Sequence, residues 1–219
     1  MTLSPYLAPG FYDKALAAGK HRDIVGGRWE ETAEAQMACL LAEGLRPQHQ
    51  LLDIGCGSLR LGHMAVPFLD PGHYWGTDAS GALMRRGYEV ELADKARLPA
   101  DQLVEDADFA FPGLPETIDF AIAWGVFTHL PPGALPPALA SVRARFPALK
   151  ALLVTLFLAP EGPPGPFRQR DGVVTHPNRP PWHRHRAEVQ AEAQAAGFTL
   201  AWRDLILPRG QCLAVLTPA

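Results

Sequence analysis

The sequence predicts an α/β protein built on a doubly wound, mostly parallel sheet with helices on both faces. Three observations predict it: short apolar stretches alternate with helical patterns, a glycine turn follows the first predicted strand, and two strand patterns close the chain. Alternating strands and helices favour parallel pairing through right-handed crossovers. The 219 residues suffice for one sizeable domain, so we expect a single domain over residues 1–219.

In the first half of the chain, helical and strand patterns alternate. A helix is predicted over residues 30–43 and ends at Gly44, and its apolar side chains share one face: Ala33, Met37, Leu40 and Leu41. Three strands are predicted, at residues 50–54, within 71–78, and at 102–106. Ser58 and Ser80 stand where they can cap the two helices between these strands, and the second helix is expected to run to about Asp94.

The second half continues the alternation and closes on two strands. Its elements are, in order, a strand over 118–124, a helix over 133–146, a strongly apolar strand over 150–158 and a helix over 185–196. Gly197 ends that helix, and strand patterns follow at 198–207 and 211–218. Because only residues 208–210 separate these two strands, we expect an antiparallel hairpin.

Residues 159–182 interrupt this pattern with seven prolines. The segment leaves the carboxyl end of the fifth strand, where open α/β sheets bind ligands, and it is too long for an ordinary connection. We therefore expect it to act as a substrate lid. Residues 168–186 also carry a net charge of +4, from Asp171 against five arginines: Arg168, Arg170, Arg179, Arg184 and Arg186. This charge either attracts an anionic substrate or forms a solvated face.

The composition argues against several classes of protein. A net charge of −3 provides no global field for nucleic acid, and no apolar run approaches the ~18 residues of a membrane span. The three cysteines are widely spaced and form no CxxC pair, which is typical of a reduced chain rather than a disulfide scaffold. Residues 1–20 lack the pattern of a secretory signal. We therefore expect a cytoplasmic protein.

The stretch LLDIGCGSLRLG, residues 51–62, runs from a strand through a glycine turn towards a helix. Gly55 and Gly57 would let the backbone approach a polar ligand closely. A phosphate-binding P-loop would need a Gly-Lys-Ser/Thr ending, and no lysine is present. The dinucleotide pattern Gly-x-Gly-x-x-Gly also fails from either glycine, and Leu59 stands where a third glycine is more usual.

This loop and three later motifs resemble class I S-adenosylmethionine (SAM)-dependent methyltransferases, over roughly residues 45–219. The motifs are LLDIGCG at 51–57, YWGTDAS at 74–80, VEDADF at 104–109 and IDFAIAWGVFTHLPP at 118–132. Each is weak alone, but four in the right order, followed by a final helix and hairpin, form a specific pattern. The resemblance implies a Rossmann-like sheet of seven strands and SAM as the cofactor.

The resemblance also implies roles for single residues. Asp53 and the glycine backbone would meet the methionine end of the cofactor, and Asp78 would accept both ribose hydroxyls. Asp106 and the backbone of Ala107 would read the adenine. As a further hypothesis, Arg60 could pair with the cofactor carboxylate. The predicted cofactor-binding residues are Asp53, Gly55, Cys56, Gly57, Arg60, Asp78, Ala79, Asp106, Ala107 and Trp124.

Other side chains are candidates for the acceptor side of the site. His129 follows the fourth strand, where it either takes a proton from the acceptor or shapes the turn before two prolines. In related methyltransferases the segment before the first strand often folds over the active site. We predict an acceptor pocket that contains Tyr12, His21, Arg28, Trp29 and His183. For Trp29, a hydrophobic staple is the alternative.

Two reactive-looking features have simpler interpretations. Cys56 has no nearby histidine to activate it, so we expect it to pack rather than react. His176, His183 and His185 lack the spacing of a zincin and an acidic partner, so no metal site is predicted.

The sequence therefore predicts an enzyme that transfers the SAM methyl group by in-line displacement to an oxygen or nitrogen atom of a small acceptor, for which an anion is one expectation. A methyltransferase for RNA or protein and a non-catalytic SAM-binding protein are alternatives. Against nucleic acid, the fourth strand ends in AWGVFTHL rather than an Asn/Asp-Pro-Pro-Tyr/Phe motif. The expected parts are an N-terminal cap (1–44), a cofactor-binding core (45–158), the lid (159–182) and a final helix and hairpin (183–219).

Overall fold

The fold was analysed in a computed structural model that describes residues 10–219. Residues 1–9 of the predicted N-terminal cap lie outside the described residues. The helices are α1 (Asp13–Ala17), α2 (His21–Ile24), α3 (Trp29–Ala42), α4 (Gly62–Phe68), α5 (Gly81–Val90), α6 (Leu135–Arg145) and α7 (Arg186–Ala195). The strands are β1 (Leu51–Ile54), β2 (Tyr74–Asp78), β3 (Leu103–Glu105), β4 (Phe120–Ala123), β5 (Ala151–Leu158), β6 (Phe167–Arg168), β7 (Val174–Thr175), β8 (His183–Arg184), β9 (Phe198–Arg203) and β10 (Cys212–Pro218).

Seven strands form the body of the sheet, in the order β3-β2-β1-β4-β5-β10-β9. The first five of these run parallel, and β10 lies antiparallel between β5 and β9. The short β8 pairs in parallel with the end of β5. The predicted fold class is therefore confirmed. The winding reverses between β1 and β4, and at such a switch point the carboxyl ends of the strands open a crevice.

Two apolar layers cover the sheet, because successive side chains of a strand point to opposite faces. On β5, Leu152 and Val154 pack with α6 and α7, whereas Ala151 and Leu153 pack with α3, α4 and α5. All eight residues of β5 are buried, as expected for a central strand. The helices on both faces are thus confirmed. No helix within residues 10–219 is long and apolar enough to cross a membrane.

Helix α3 presents a different face to the core from the one predicted. Leu41 is 46% exposed, whereas Gln36 and Cys39 are buried together with the apolar side chains of the helix. The prediction for Leu41 was wrong because the buried face is turned towards Gln36. The orientation of α3 matters for the site, because it places the polar side chain of Gln36 on the buried face.

The two serine caps have different outcomes. Ser80 caps α5 as predicted, and its Oγ accepts a hydrogen bond from the backbone N–H of Leu83 at 3.2 Å. Ser58 does not cap α4, which begins only at Gly62. The Ser58 hydroxyl instead donates to the carbonyl oxygen of His21 at 3.1 Å. This cap prediction failed because a tertiary contact with the N-terminal segment takes up the hydroxyl.

The closing strands are antiparallel, as predicted, but the turn between them is longer. Strand β9 ends at Arg203 rather than at residue 207, so residues 204–211 form the connection. Pro208 begins a short 3₁₀ turn and Arg209 has a positive φ of 64°. A proline cannot donate a ladder hydrogen bond, which explains why the hairpin cannot close tightly at this point. We call residues 204–211 the β9–β10 loop.

The proline-rich segment over 159–182 carries a small hairpin of its own, formed by β6 and β7. Gln169 is buried, and its Nε2 donates to the carbonyl oxygen of Leu158 at 3.0 Å and to Oγ1 of Thr175 at 2.9 Å. The bond to Leu158 attaches the hairpin to the end of β5, and the bond to Thr175 lies within the hairpin.

Candidate functional site

A cleft opens at the carboxyl edge of the parallel strands and contains about 1280 Å³ of space continuous with solvent. Its floor comes from the loops that follow β1, β2, β3 and β4. All ten residues predicted to bind the cofactor line it, and so does His129. The strand order explains this convergence, because β3, β2, β1 and β4 are neighbours and end at the same edge.

Asp78 ends β2 beneath the glycine turn and is 9% exposed. Its Oδ2 accepts a hydrogen bond from the backbone N–H of Gly57 at 3.0 Å, and its Oδ1 accepts one from Ser80 at 2.9 Å. Burial raises the pKa of Asp78 to about 6, although both hydrogen bonds oppose the increase. Each carboxylate oxygen retains acceptor capacity, so the group can still receive hydrogen bonds from a ligand.

Asp53 lies in β1 and is 2% exposed. The hydroxyl of Tyr74, from the neighbouring β2, donates a hydrogen bond to its Oδ2 at 2.7 Å. Burial raises the pKa of Asp53 to about 7, while the Tyr74 bond and the charge of Arg60 oppose the increase. A buried carboxylate beside an open cleft is typical of a site that receives a positively charged or hydrogen-bonding group.

Asp106 organises the loop that follows β3. Its carboxylate accepts backbone hydrogen bonds from Asp108, Ala110 and Phe111, at 3.1, 3.2 and 2.9 Å. These contacts hold a turn in which Phe109 and Phe111 have positive φ angles. Its contact with an adenine ring remains a prediction.

The glycine turn requires its two glycines, whereas Leu59 takes the place of a third. A Cβ atom at Gly55 would lie 2.5 Å from Cγ2 of Val126, and one at Gly57 would lie 2.9 Å from Cγ1 of Val25. Leu59 has a φ of 64°, a left-handed value that favours glycine. Its side chain is fully buried in the apolar layer with α4 and α5, away from the cleft. Leu59 therefore anchors the turn to the core.

Arg60 lines the cleft, but its guanidinium is partly engaged by the protein. Its Nη1 donates to the carbonyl oxygen of Val25 at 2.9 Å. Its Nε is buried without a hydrogen-bond partner among residues 10–219. Burial lowers the pKa of Arg60 to about 10, so the side chain stays charged at neutral pH. Pairing with a cofactor carboxylate remains a hypothesis.

Cys56 and His129 also border the cleft, and burial shifts the pKa of both. It raises the pKa of the Cys56 thiol well above its usual value, so the residue stays a thiol and packs in the core. Burial, aided by the charge of Arg209, lowers the pKa of His129 to about 4. His129 is therefore neutral at physiological pH.

The cleft has a roof formed by two distant parts of the chain. Residues 24–26 and Tyr12 come from the N-terminal segment, and residues 208, 209 and 211 come from the β9–β10 loop. The Arg209 guanidinium donates a hydrogen bond to the carbonyl oxygen of Gly26 and so joins the two parts. Arg22 anchors the N-terminal segment through two hydrogen bonds to Glu91, at 2.8 and 2.6 Å.

Sequence reasoning missed part of this lining: Thr32, Gln36, Pro208, Arg209 and Gln211. A signal was available for Gln36, which lies among the apolar positions of the helix predicted over residues 30–43. Residues 208–210 were predicted to form a hairpin turn and Gln211 to begin the last strand, and neither prediction placed them in the site.

Of the five residues predicted for the acceptor pocket, the cleft lining in the described part of the chain includes Tyr12 alone. Trp29 stacks on His63 with ring centroids 5.6 Å apart, and His21 Nε2 lies 2.6 Å from Glu91. The other two contact the proline-rich segment. Arg28 forms an ion pair with Asp171 at 2.9 Å, and His183 Nδ1 lies 2.9 Å from Oγ1 of Thr175. Their roles towards an acceptor remain predictions.

The predicted lid and its charges also lie apart from the cleft. None of the residues in 159–186, all of which are described, belongs to the lining. Arg184 is buried and pairs with Glu192 at 2.6 Å, and Arg186 stacks on Trp202. Both arginines thus stabilise the fold around α7, and the lid function remains a prediction.

No family model matches the sequence. Several solved structures are similar to it along nearly the whole chain. The magnesium protoporphyrin IX methyltransferase of Synechocystis with bound S-adenosylhomocysteine (SAH) superposes with a TM-score of 0.65 at 15% identity, over 95% of this chain and 96% of that one. The DhpI–SAH complex gives 0.62 at 15% identity, over 97% and 98%.

A TehB-like SAM-dependent methyltransferase from Corynebacterium glutamicum gives a TM-score of 0.59 at 18% identity, over 97% of this chain and 100% of that one. These likenesses show that the chain has the fold of SAM-dependent methyltransferases.

Proposed function

We propose that this chain transfers the methyl group of SAM to an oxygen or nitrogen atom of a small molecule. The observation that carries the proposal is the pair of buried carboxylates, Asp53 and Asp78, at the ends of adjacent strands beside a glycine turn that leaves no room for side chains. The fold that the chain shares with SAM- and SAH-bound structures supports the same conclusion.

The residues of the cleft fit the chemistry of this cofactor. Asp78 would hold the ribose, because a carboxylate can accept hydrogen bonds from both hydroxyls of a diol. Asp53 would face the methionine end, where an ammonium group offsets the unfavourable burial of its charge. The close backbone approach at Gly55 and Gly57 would place the cofactor against the turn.

When bound, the cofactor supplies an electrophilic methyl group on a positively charged sulfur. The protein then has to align the acceptor and exclude water. The roof formed by residues 24–26 and the β9–β10 loop would exclude water from the cleft. His129, neutral at physiological pH, would accept a hydrogen bond from the acceptor and hold its nucleophilic atom in line, and the acceptor proton would leave to water after methyl transfer.

A small acceptor agrees with the shape of the cleft. The roof partly covers the cleft, which suits an acceptor small enough to enter beneath it. Several proteins of the same fold are named after small molecules, among them the magnesium protoporphyrin IX methyltransferase and the pyocyanin biosynthetic protein PhzM.

The first experiment is calorimetry with SAM and with SAH. We expect both to bind, and we expect Asp78→Ala to weaken SAM at least 100-fold, while the control Glu89→Ala, which alters an exposed carboxylate of α5, leaves the affinity unchanged. Methyl-labelled SAM is then offered to a small-molecule library and to RNA and protein fractions. Label entering only the macromolecules would contradict a small acceptor, and failure of both SAM and SAH to bind would refute the proposal.

A further inference from the structure

The charged side chains of the cleft fall into two groups. Within residues 10–219, the lining contains three carboxylates, at the ends of β1, β2 and β3, and two guanidinium groups, Arg60 and Arg209. The cofactor would engage all three carboxylates, and its own carboxylate would pair with Arg60. In the described part of the lining, Arg209 is therefore the charged group for which the cofactor provides no partner.

Arg209 enters the cleft from the β9–β10 loop, on the side away from the three carboxylates. Strand β10 lies beyond β4 and β5 in the sheet, whereas the carboxylates stand at β1, β2 and β3. Burial lowers the pKa of both Arg60 and His129, and the positive charge of Arg209 adds to the decrease. The guanidinium thus lies near the part of the cleft where His129 would hold the nucleophilic atom of the acceptor.

The guanidinium of Arg209 is accessible and its charge is not neutralised. The residue is exposed, and its Nη2 donates to the carbonyl oxygen of Gly26. Asp171 packs against the same loop at Gly210 but pairs with Arg28, and no carboxylate within residues 10–219 forms an ion pair with Arg209. A guanidinium has further N–H donors in one plane, which match the two oxygens of a carboxylate.

The backbone at Arg209 indicates that the side chain has a role. Its φ of 64° is a left-handed value that glycine adopts more readily. The loop is nevertheless held in place, since Leu207 is buried and a Cβ atom at Gly210 would lie 3.3 Å from the backbone nitrogen of Asp171. A neutral donor could make the bond to Gly26, so that bond alone does not explain a charged side chain at this strained position.

The charges favour a carboxylate as the partner of Arg209. One guanidinium offsets a single negative charge, whereas a phosphate monoester carries about −1.5 to −2 charges at pH 7 and would need further cations. A cationic acceptor would be repelled by Arg209 and by the positively charged sulfur of the bound cofactor.

Resting on the methyl-transfer function above, we propose that Arg209 determines acceptor specificity by binding a carboxylate of the acceptor, while His129 holds the nucleophilic oxygen or nitrogen of the same molecule. The acceptor is then a small hydroxy or amino carboxylic acid. Because the turn that carries Arg209 is fixed before a ligand arrives, the guanidinium can discriminate between acceptors that differ in this one group.

The test uses matched pairs of small molecules, titrated against the SAH-saturated protein: hydroxy and amino carboxylic acids, hydroxybenzoates among them, and the corresponding primary amides. SAH lacks the positive charge on sulfur, so a preference for the acids has to come from the protein. We expect each acid that binds to do so about tenfold more tightly than its amide at low ionic strength. In about 0.5 M NaCl most of this preference should disappear, because an exposed charge is screened.

Four variants separate the charge of Arg209 from its bond to Gly26. Arg209→Gln keeps an N–H donor, and it should abolish the preference for acids while SAH affinity stays within about threefold; Arg209→Lys should retain most of the preference. Arg179→Gln removes an exposed arginine outside the cleft, so it controls for net charge and should bind both compounds like the wild type. Arg22→Gln loosens the N-terminal segment without altering the charge of the cleft, so it should change both affinities by the same factor.

The proposal is overturned if the amides bind as tightly as the acids, if none of the acids binds, or if Arg209→Gln keeps the preference. A loss of SAH affinity of about tenfold or more in Arg209→Gln would assign the arginine to the cofactor and overturn the proposal as well. Failure of SAH to bind the wild-type protein would refute the methyl-transfer function itself. Normal SAH binding by the wild type together with any of the other results refutes the specificity proposal alone.

Discussion

The carboxylate of Asp78, at the end of β2, accepts a hydrogen bond from the backbone N–H of Gly57, 3.0 Å away in the turn after β1. One side chain therefore both positions the glycine turn and faces the cleft. Burial raises its pKa to about 6, which places its titration within an experimentally accessible range.

Cofactor affinity should therefore depend on pH. Below about pH 6 the protonated Asp78 can no longer accept two hydrogen bonds from a ribose, so Kd for SAM should rise about tenfold in total as the pH falls from 7 to 5. Calorimetry at pH values from 5 to 8 measures the Kd for SAM. Asp78→Asn should bind weakly with a flatter profile, and Glu89→Gln should behave like the wild type. An unchanged Kd at pH 5 would contradict the role of Asp78.

Asp53→Asn should stabilise the ligand-free protein at pH 8 while weakening SAM binding. The pKa of Asp53 is about 7 in the folded protein and 3.8 when unperturbed, so the native state binds this proton more tightly and loses stability as the pH rises from 4 through 7. Asparagine carries no charge and avoids that loss, so the free energy of unfolding of Asp53→Asn should exceed that of the wild type by at most about 4 kcal/mol at pH 8 and by almost nothing at pH 4. Urea unfolding at the two pH values measures the difference.

Tyr74→Phe should destabilise the protein at pH 8, whereas Asp53→Asn should stabilise it. Tyr74→Phe removes the hydroxyl that donates to Asp53, so the free energy of unfolding at pH 8 should fall.

For the Asp53→Asn prediction, equal free energies of unfolding of the variant and the wild type at pH 8 would mean that burial of the Asp53 charge is not unfavourable.

Leu59 should reverse the usual ranking of alanine and glycine. Both Leu59→Ala and Leu59→Gly lose a buried side chain, at a cost of about 2–5 kcal/mol. Only glycine relieves the left-handed backbone at φ 64°, so Leu59→Gly should be more stable than Leu59→Ala by about 1 kcal/mol. At the equally buried Leu61, where φ is −72°, alanine should be the better replacement. Denaturant midpoints of the four variants show whether glycine or alanine is the more stable replacement at each position.

Gly87 in α5 should not tolerate even a methyl group. A Cβ atom there would lie 2.3 Å from the carbonyl oxygen of Ser58, which belongs to the backbone of the glycine turn. Gly87→Ala should therefore lower the free energy of unfolding by about 2 kcal/mol or more and weaken SAM by displacing the turn. Gly133→Ala, where a Cβ would meet nothing within 4 Å, is the control and should be neutral. A Tm for Gly87→Ala that matches the control would contradict the close approach.

His129 should remain neutral between pH 5 and 8, because burial and the charge of Arg209 hold its pKa near 4. Its imidazole resonances in NMR, assigned by their absence in His129→Gln, should hardly move over this range. A midpoint near 6.5 would restore His129 as a candidate general base.

The acidic residues of the cleft could be predicted because their motifs resemble those of class I SAM-dependent methyltransferases, and the topology explains why they meet. Asp53 and Asp78 each stand at the carboxyl end of a predicted strand, and neighbouring parallel strands end at one edge. The contacts around them could not be predicted in this way. The bond from Tyr74 to Asp53, like that from Ser58 to His21, joins segments that no local pattern relates.

Gln36 shows why the other half of the cleft escaped prediction. Apolar periodicity located α3, but it counted Leu41 among the buried positions and thereby rotated the predicted face away from Gln36. A buried glutamine that lines a cleft breaks the pattern from which a core face is inferred. Sequence periodicity therefore fails at the point where the helix contributes to the cleft.

The bond between Arg209 and Gly26 joins residues 183 positions apart. Closing a loop of this length is entropically unfavourable, so the rest of the fold has to stabilise the contact. Residue 209 is also synthesised after every residue of the cleft floor. The bond that encloses the cleft can therefore form only after the chain of the floor has been made.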